Sequence, residues 1–117
     1  MEWIEKRIRV QLQSGWRTVD AYVLQGTPWA VHRQQYDDGE SSVWWTISHV
    51  PTGYACRNGT WHTLASAKRI AEQLHAATDV IRGIKSRNPK TVARATPREI
   101  VEWFFFGCRG RFPKVKK

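Results

Sequence analysis

At 117 residues, with 41% hydrophobic and 25% charged residues, the chain has the size of one domain and a composition unlike that of a disordered protein. No apolar run approaches the roughly 18 residues of a membrane-spanning helix, and Glu2, Glu5, Lys6 and Arg7 interrupt any secretory leader, so a cytoplasmic protein without membrane contact is expected. The formal net charge of +9 is uneven: residues 1–80 hold eight basic and eight acidic residues, whereas residues 81–117 hold eleven basic residues against Glu99 and Glu102.

Residues 4–13 alternate Ile8, Val10 and Leu12 with Arg7, Arg9, Gln11 and Gln13, the period of a half-buried strand. Ser14-Gly15 supplies a turn, and Val19, Ala21 and Val23 form the next alternating run, which predicts a hairpin. Gly26-Thr27-Pro28 leads into a third strand over residues 29–36, and the polar loop 37–42 into a fourth over 43–50, with Val43, Trp45 and Ile47 on one face and Trp44, Thr46 and Ser48 on the other. Pro51-Thr52-Gly53 turns the chain into a short return over 54–57, closed by Asn58-Gly59.

After Trp61 the period changes. Leu64, Ala67, Ala71, Leu74, Thr78 and Ile81 recur at steps of three and four, predicting an amphipathic helix over 63–84 with Thr60 or Thr63 as N-cap and Asn88-Pro89 beyond its end. Residues 86–95 lack strong periodicity and are expected to form a basic connector. Thr96-Pro97-Arg98-Glu99 matches a capping box with proline at N1 and predicts a helix over 97–106, ended by Gly107. Its Trp103, Phe104, Phe105 and Phe106 imply burial on two sides or a surface awaiting a partner.

The expected fold class is α+β: an antiparallel meander of four to five strands (3–61) covered by one long amphipathic helix, followed by a second short helix, all in a single domain over 1–107, with a basic tail over 108–117. The seven tryptophans are expected chiefly to pack that core. The strands leading into Trp61-His62-Thr63-Leu64-Ala65-Ser66-Ala67-Lys68-Arg69-Ile70-Ala71 are similar to the sheet-then-helix ending of double-stranded RNA-binding domains and of the three-stranded arm-binding domains of phage integrases. The similarity covers about a third of the chain, lacks the leading helix of the RNA-binding domain, and implies architecture only.

No enzyme signature is present: no glycine-rich phosphate loop, no nucleophile elbow, no histidine pair at helical i, i+4 spacing. Asp37, Asp38 and Glu40 fall in a turn, where solvation accounts for them. His32, His49, His62 and His75 stand apart, and Cys56 and Cys108 match no metal or redox spacing, so neither metal nor cofactor is expected. The charge asymmetry points to a polyanion, with Arg82, Lys85, Arg87, Lys90, Arg94 and Arg98 as phosphate contacts and Arg109, Arg111, Lys114, Lys116 and Lys117 as a clamping tail. A bare sheet face carrying His32, Arg33, Trp44, Tyr54 and Arg57 is a second expected surface. The alternative is a phage-type inhibitor or accessory protein that docks through Trp103, Phe104, Phe105 and Phe106 on a host enzyme or nucleoprotein complex; a homodimer through the same helix is compatible with both readings.

Overall fold

The computed structural model describes residues 2–36, 40–56 and 60–106. Five strands, β1 (Trp3–Leu12), β2 (Gly15–Leu24), β3 (Trp29–Gln35), β4 (Ser41–His49) and β5 (Tyr54–Ala55), form one antiparallel meander in chain order. Three helices follow: α1 (Leu64–Thr78), α2 (Pro89–Ala95) and α3 (Arg98–Phe105).

The period-two pattern of the strands sends side chains to two faces, and each carries a buried cluster, although the β1–β2 hairpin leaves Arg7, Arg9, Trp16, Thr18 and Asp20 of one face exposed. On one, Trp29, Val31 and Ile47 meet Ala67, Ala71 and Leu74 of α1, which lies across β3 and β4, and Ile100, Trp103 and Phe104 of α3 complete the layer. On the other, Ile8, Val10, Val19, Ala21 and Ala30 pack together with Val23 and Val50. No helix contributes to that second cluster. It is shielded because the sheet curls: the Gln11 N–H of β1 donates to the Gly53 carbonyl of the β4–β5 turn at 2.8 Å, bringing the two ends of the meander together.

Gly53 makes that closure sterically feasible. Its φ of +77° lies in the left-handed region, and a Cβ there would stand 2.3 Å from Cζ3 of Trp16. The indole of β2 therefore rests on bare backbone.

The long helix expected over 63–84 is instead a 15-residue α1 followed by a chain of turns. Thr63 caps its start, accepting from the Ser66 N–H at 3.1 Å. At the other end the Thr78 hydroxyl donates to the Leu74 carbonyl and accepts from Trp29 Nε1, fixing the last turn to the core. Beyond it, three-residue hydrogen bonds from Ile81 to Thr78, Ile84 to Ile81 and Ser86 to Gly83 replace the α ladder, and Gly83 takes φ +94°. Turns closed at i, i+3 keep helical spacing, so Ile81 and Ile84 continue the apolar stripe without a helix.

The expected connector contains α2. Asn88 is its N-cap, accepting from the Lys90 N–H at 2.9 Å, with Pro89 at N1 and Val92 fully buried. Asn88-Pro89 thus starts a helix rather than merely following one. The expected capping box of α3 does not form: the Thr96 hydroxyl donates to the Val92 carbonyl at 2.7 Å, closing the end of α2, and the residue at the α3 N-cap position, Pro97, makes no side-chain cap.

Within α3, Ile100, Val101, Trp103 and Phe104 are buried, Phe105 is half-buried against His49 and Tyr54, and Phe106 is 70% exposed. Phe104→Ala is therefore expected to cost about 3–5 kcal/mol in urea unfolding and Phe106→Ala less than about 0.5 kcal/mol. Equal costs would show that α3 is seated otherwise.

Candidate nucleic-acid interface

Both faces of the sheet carrying a buried cluster, the bare sheet face expected from sequence is absent among the described residues. Its candidate members scatter. Arg33 lies with its guanidinium 4.2 Å over the Trp45 ring and donates to the Val43 carbonyl, whereas its neighbour His32 is buried on the opposite face. Trp44 packs on His62 with ring centroids 3.8 Å apart, Tyr54 is half-buried near Phe105, and Arg57 lies outside the described residues.

The two buried histidines are structural. The Arg33 carbonyl can only accept, so His32 donates from Nδ1 at 2.7 Å and takes the Ser48 hydroxyl proton at Nε2, also at 2.7 Å. His49 uses the opposite tautomer, donating from Nε2 to the Ile84 carbonyl at 2.5 Å and accepting from the Thr52 hydroxyl at Nδ1 at 2.9 Å. Burial, which disfavours the imidazolium, lowers the pKa of both, against a smaller upward pull from the carbonyl each one contacts. Among the described residues no group of three or more His, Cys, Asp and Glu side chains can hold a metal ion, and no helix is long and apolar enough to cross a membrane.

Of the predicted C-terminal cations, Arg82, Lys85, Arg87, Lys90, Arg94 and Arg98 are all exposed. Only Arg98 is paired with an acid among the described residues, to Glu102 one turn along α3 at 2.8 Å. Arg109, Arg111, Lys114, Lys116 and Lys117 lie outside the described residues, as does Cys108. Among the proposed protein anchors, Trp103 and Phe104 belong to the core, which leaves Phe106 and part of Phe105 at the surface.

A site that sequence reasoning passed over lies along the outer edge of β1. That strand pairs with β2 alone, and between its free edge and the β4–β5 turn runs a groove of about 990 Å³. Lys6, Arg7 and Arg9 of β1 and Arg87 from the α1–α2 connection line it, together with the rings of Trp16 and Tyr54; among the described residues no Asp or Glu does. Trp16 is 50% exposed, and the Arg9 guanidinium sits 4.8 Å over its ring. Arg7 lies 3.5 Å from Asp20, but both side chains are solvent-exposed and such pairs contribute little. Among the described residues, Arg87 is the one predicted phosphate contact that the fold brings to this groove, and Pro89 carries the lining on to the start of α2.

The neutrality of residues 1–80 hid this cluster, because the balancing acids do not line the groove. A usable clue was present. The first strand of a meander is an edge strand, so Lys6, Arg7 and Arg9 were bound to flank an open sheet margin. No family model, curated protein or solved structure matches this chain.

Two outcomes follow from this geometry. Gly53→Ala is expected to lose roughly 2–5 kcal/mol in urea unfolding, from left-handed strain and the Trp16 contact together, while Gly26→Ala, also at positive φ but with open space around it, loses about 1–2 kcal/mol. Equal losses would mean that Trp16 does not seat on Gly53. The second concerns pH. His32 and His49 are held neutral in the fold, whereas in the unfolded chain they take up protons near pH 6.5; the unfolded state therefore binds more protons below that value, and stability declines as pH falls from about 6.5 toward the lowered folded values. Urea midpoints at pH 7.5 and 5.5 check this, and a midpoint that is flat or higher at the acidic pH contradicts it.

Proposed function

We propose that this chain is a non-enzymatic nucleic-acid-binding module of the cytoplasm that holds the phosphate backbone along the groove beside β1 and over the basic surface of the connection and α2. The observation that carries this reading is the groove itself: among the described residues it is lined by four cations and two aromatic rings and by no acid, and Arg87 joins it to the C-terminal basic segment. Each phosphate neutralised releases condensed counterions, which gives affinity without sequence preference and makes it steeply salt-dependent.

Within this reading Lys6, Arg7, Arg9 and Arg87 contact the segment seated in the groove. Lys85, Lys90 and Arg94 extend the track, and the tail cations Arg109, Arg111, Lys114, Lys116 and Lys117 add electrostatic reach. Arg98, engaged with Glu102, contributes less. The alternative of docking on a protein through α3 retains only Phe106 and part of Phe105 as anchors, a small surface for a hot spot.

Fluorescence anisotropy with labelled DNA and RNA tests the proposal. With six or so phosphate contacts, affinity is expected to fall about a thousandfold between about 50 and 200 mM salt. The double variant Lys6→Ala, Arg87→Ala is expected to reduce the slope of log affinity against log salt by about 2, at roughly 0.9 per lost contact with duplex and slightly less with a single strand. Absence of binding at low salt, or a slope unchanged in the double variant, contradicts it.

A further inference from the structure

We infer that the groove beside β1 receives a single strand of nucleic acid, with an unpaired base stacked on Trp16. This rests on the nucleic-acid reading above and adds the strandedness of the ligand. The Trp16 indole stands half open to solvent in a row of cations, on the opposite face of β2 from Val19 and Ala21, so it takes no part in the apolar cluster those residues form. The ring is nonetheless held in place, with Gly53 against its benzo edge and Arg9 over it. Tyr54, next in the chain to Gly53 and also in the groove lining, has its ring centroid 6.2 Å from that of Phe105. Two rings held by their neighbours within a cationic channel are surfaces that base faces stack upon.

A duplex cannot use these rings, because pairing and stacking hide the base faces and present phosphates to the rim alone. The groove volume of about 990 Å³ sits at the top of the range of roughly 300–1,000 Å³ for small-ligand sites, room for a few nucleotides rather than a double helix. The free margin of β1 adds hydrogen-bonding groups. Successive residues of an antiparallel strand direct their main-chain groups to alternate sides, and Gln11 directs its N–H outward to Gly53, so those of Arg7 and Arg9 also face the groove. An added peptide strand fits less well. It would pair at Arg7 and Arg9 and then meet the Gln11–Gly53 hydrogen bond that shuts this end of the margin.

The decisive comparison sets four probes against one another in anisotropy titrations: oligothymidylate, an abasic strand of the same length, a hairpin duplex of matched charge, and polyglutamate. Oligothymidylate is expected to bind about tenfold or more tighter than the other three. Trp16→Ala is expected to weaken it by roughly five- to a hundredfold, to the abasic level, whereas Trp16→Phe, which keeps a stacking face, stays within about threefold of the parent. Should Trp16→Ala fail to fold, the abasic comparison and Trp16→Phe still decide. Equal binding of the oligothymidylate, abasic and duplex probes with a steep salt dependence overturns the single-strand inference and leaves the nucleic-acid reading intact. Binding of none of them overturns both. Polyglutamate binding tighter than oligothymidylate overturns both as well, and assigns the β1 margin to an acidic peptide strand.

Discussion

The hydrogen bond from the Gln11 N–H to the Gly53 carbonyl is the constraint on which the rest of this molecule turns. A five-stranded sheet has two faces to bury, and the helices after residue 61 cover one. The other is buried by the sheet itself, which twists until β1 meets the β4–β5 turn around Ile8, Val10, Val19, Ala21 and Ala30. That meeting needs a residue that tolerates φ +77° and offers no side chain to Trp16, and glycine alone satisfies both.

Curling also decides where a ligand can go. With apolar clusters on both faces, the sheet is left open only over the β1–β2 hairpin, where Arg7, Arg9, Trp16, Thr18 and Asp20 are exposed. What remains is the seam, where β1 has no strand partner and its charged side chains stand beside main-chain groups unused in the sheet. Elsewhere the sheet's cations are engaged within the fold. Arg17 donates to the Tyr36 carbonyl and Arg33 lies on Trp45, while Lys68 of α1 lies on Trp3 and Tyr22. Along the seam Arg9 lies on Trp16, and Lys6 and Arg87 have no acid in ion-pair distance among the described residues.

Much of the architecture was legible because two periodicities are written plainly in this chain. Ile8, Val10, Val19, Ala21 and Val23 announce the first hairpin, and Leu64, Ala67, Ala71 and Leu74 announce α1. The misreadings lie where one residue type serves two roles. Asn88-Pro89 both ends and begins helices, and α2 carries a single fully buried side chain, Val92, too few for a periodic signal. Ile81 and Ile84 keep helical spacing through turns, which lengthened the expected helix. Thr96 has a hydroxyl that can donate backward or accept forward, and Val92 takes it. The exposed C-terminal cations were visible as composition. The groove was not, because it is assembled from β1, Trp16 of β2, the β4–β5 turn and Arg87, and bringing them together depends on the closure by Gly53.

The chemistry so placed is positive charge along a channel, aromatic rings in its lining, and a hydrogen-bonding margin on one side, which is the basis of the proposed capture of a strand. Amide chemical-shift mapping of the labelled protein on titration with oligothymidylate addresses the central claim most directly. The account predicts that the largest shifts fall on residues 6–11, Trp16 with its indole N–H, Gly53 and Arg87. Shifts confined to the exposed face of α1 and to Phe106, with the seam unmoved, would contradict it.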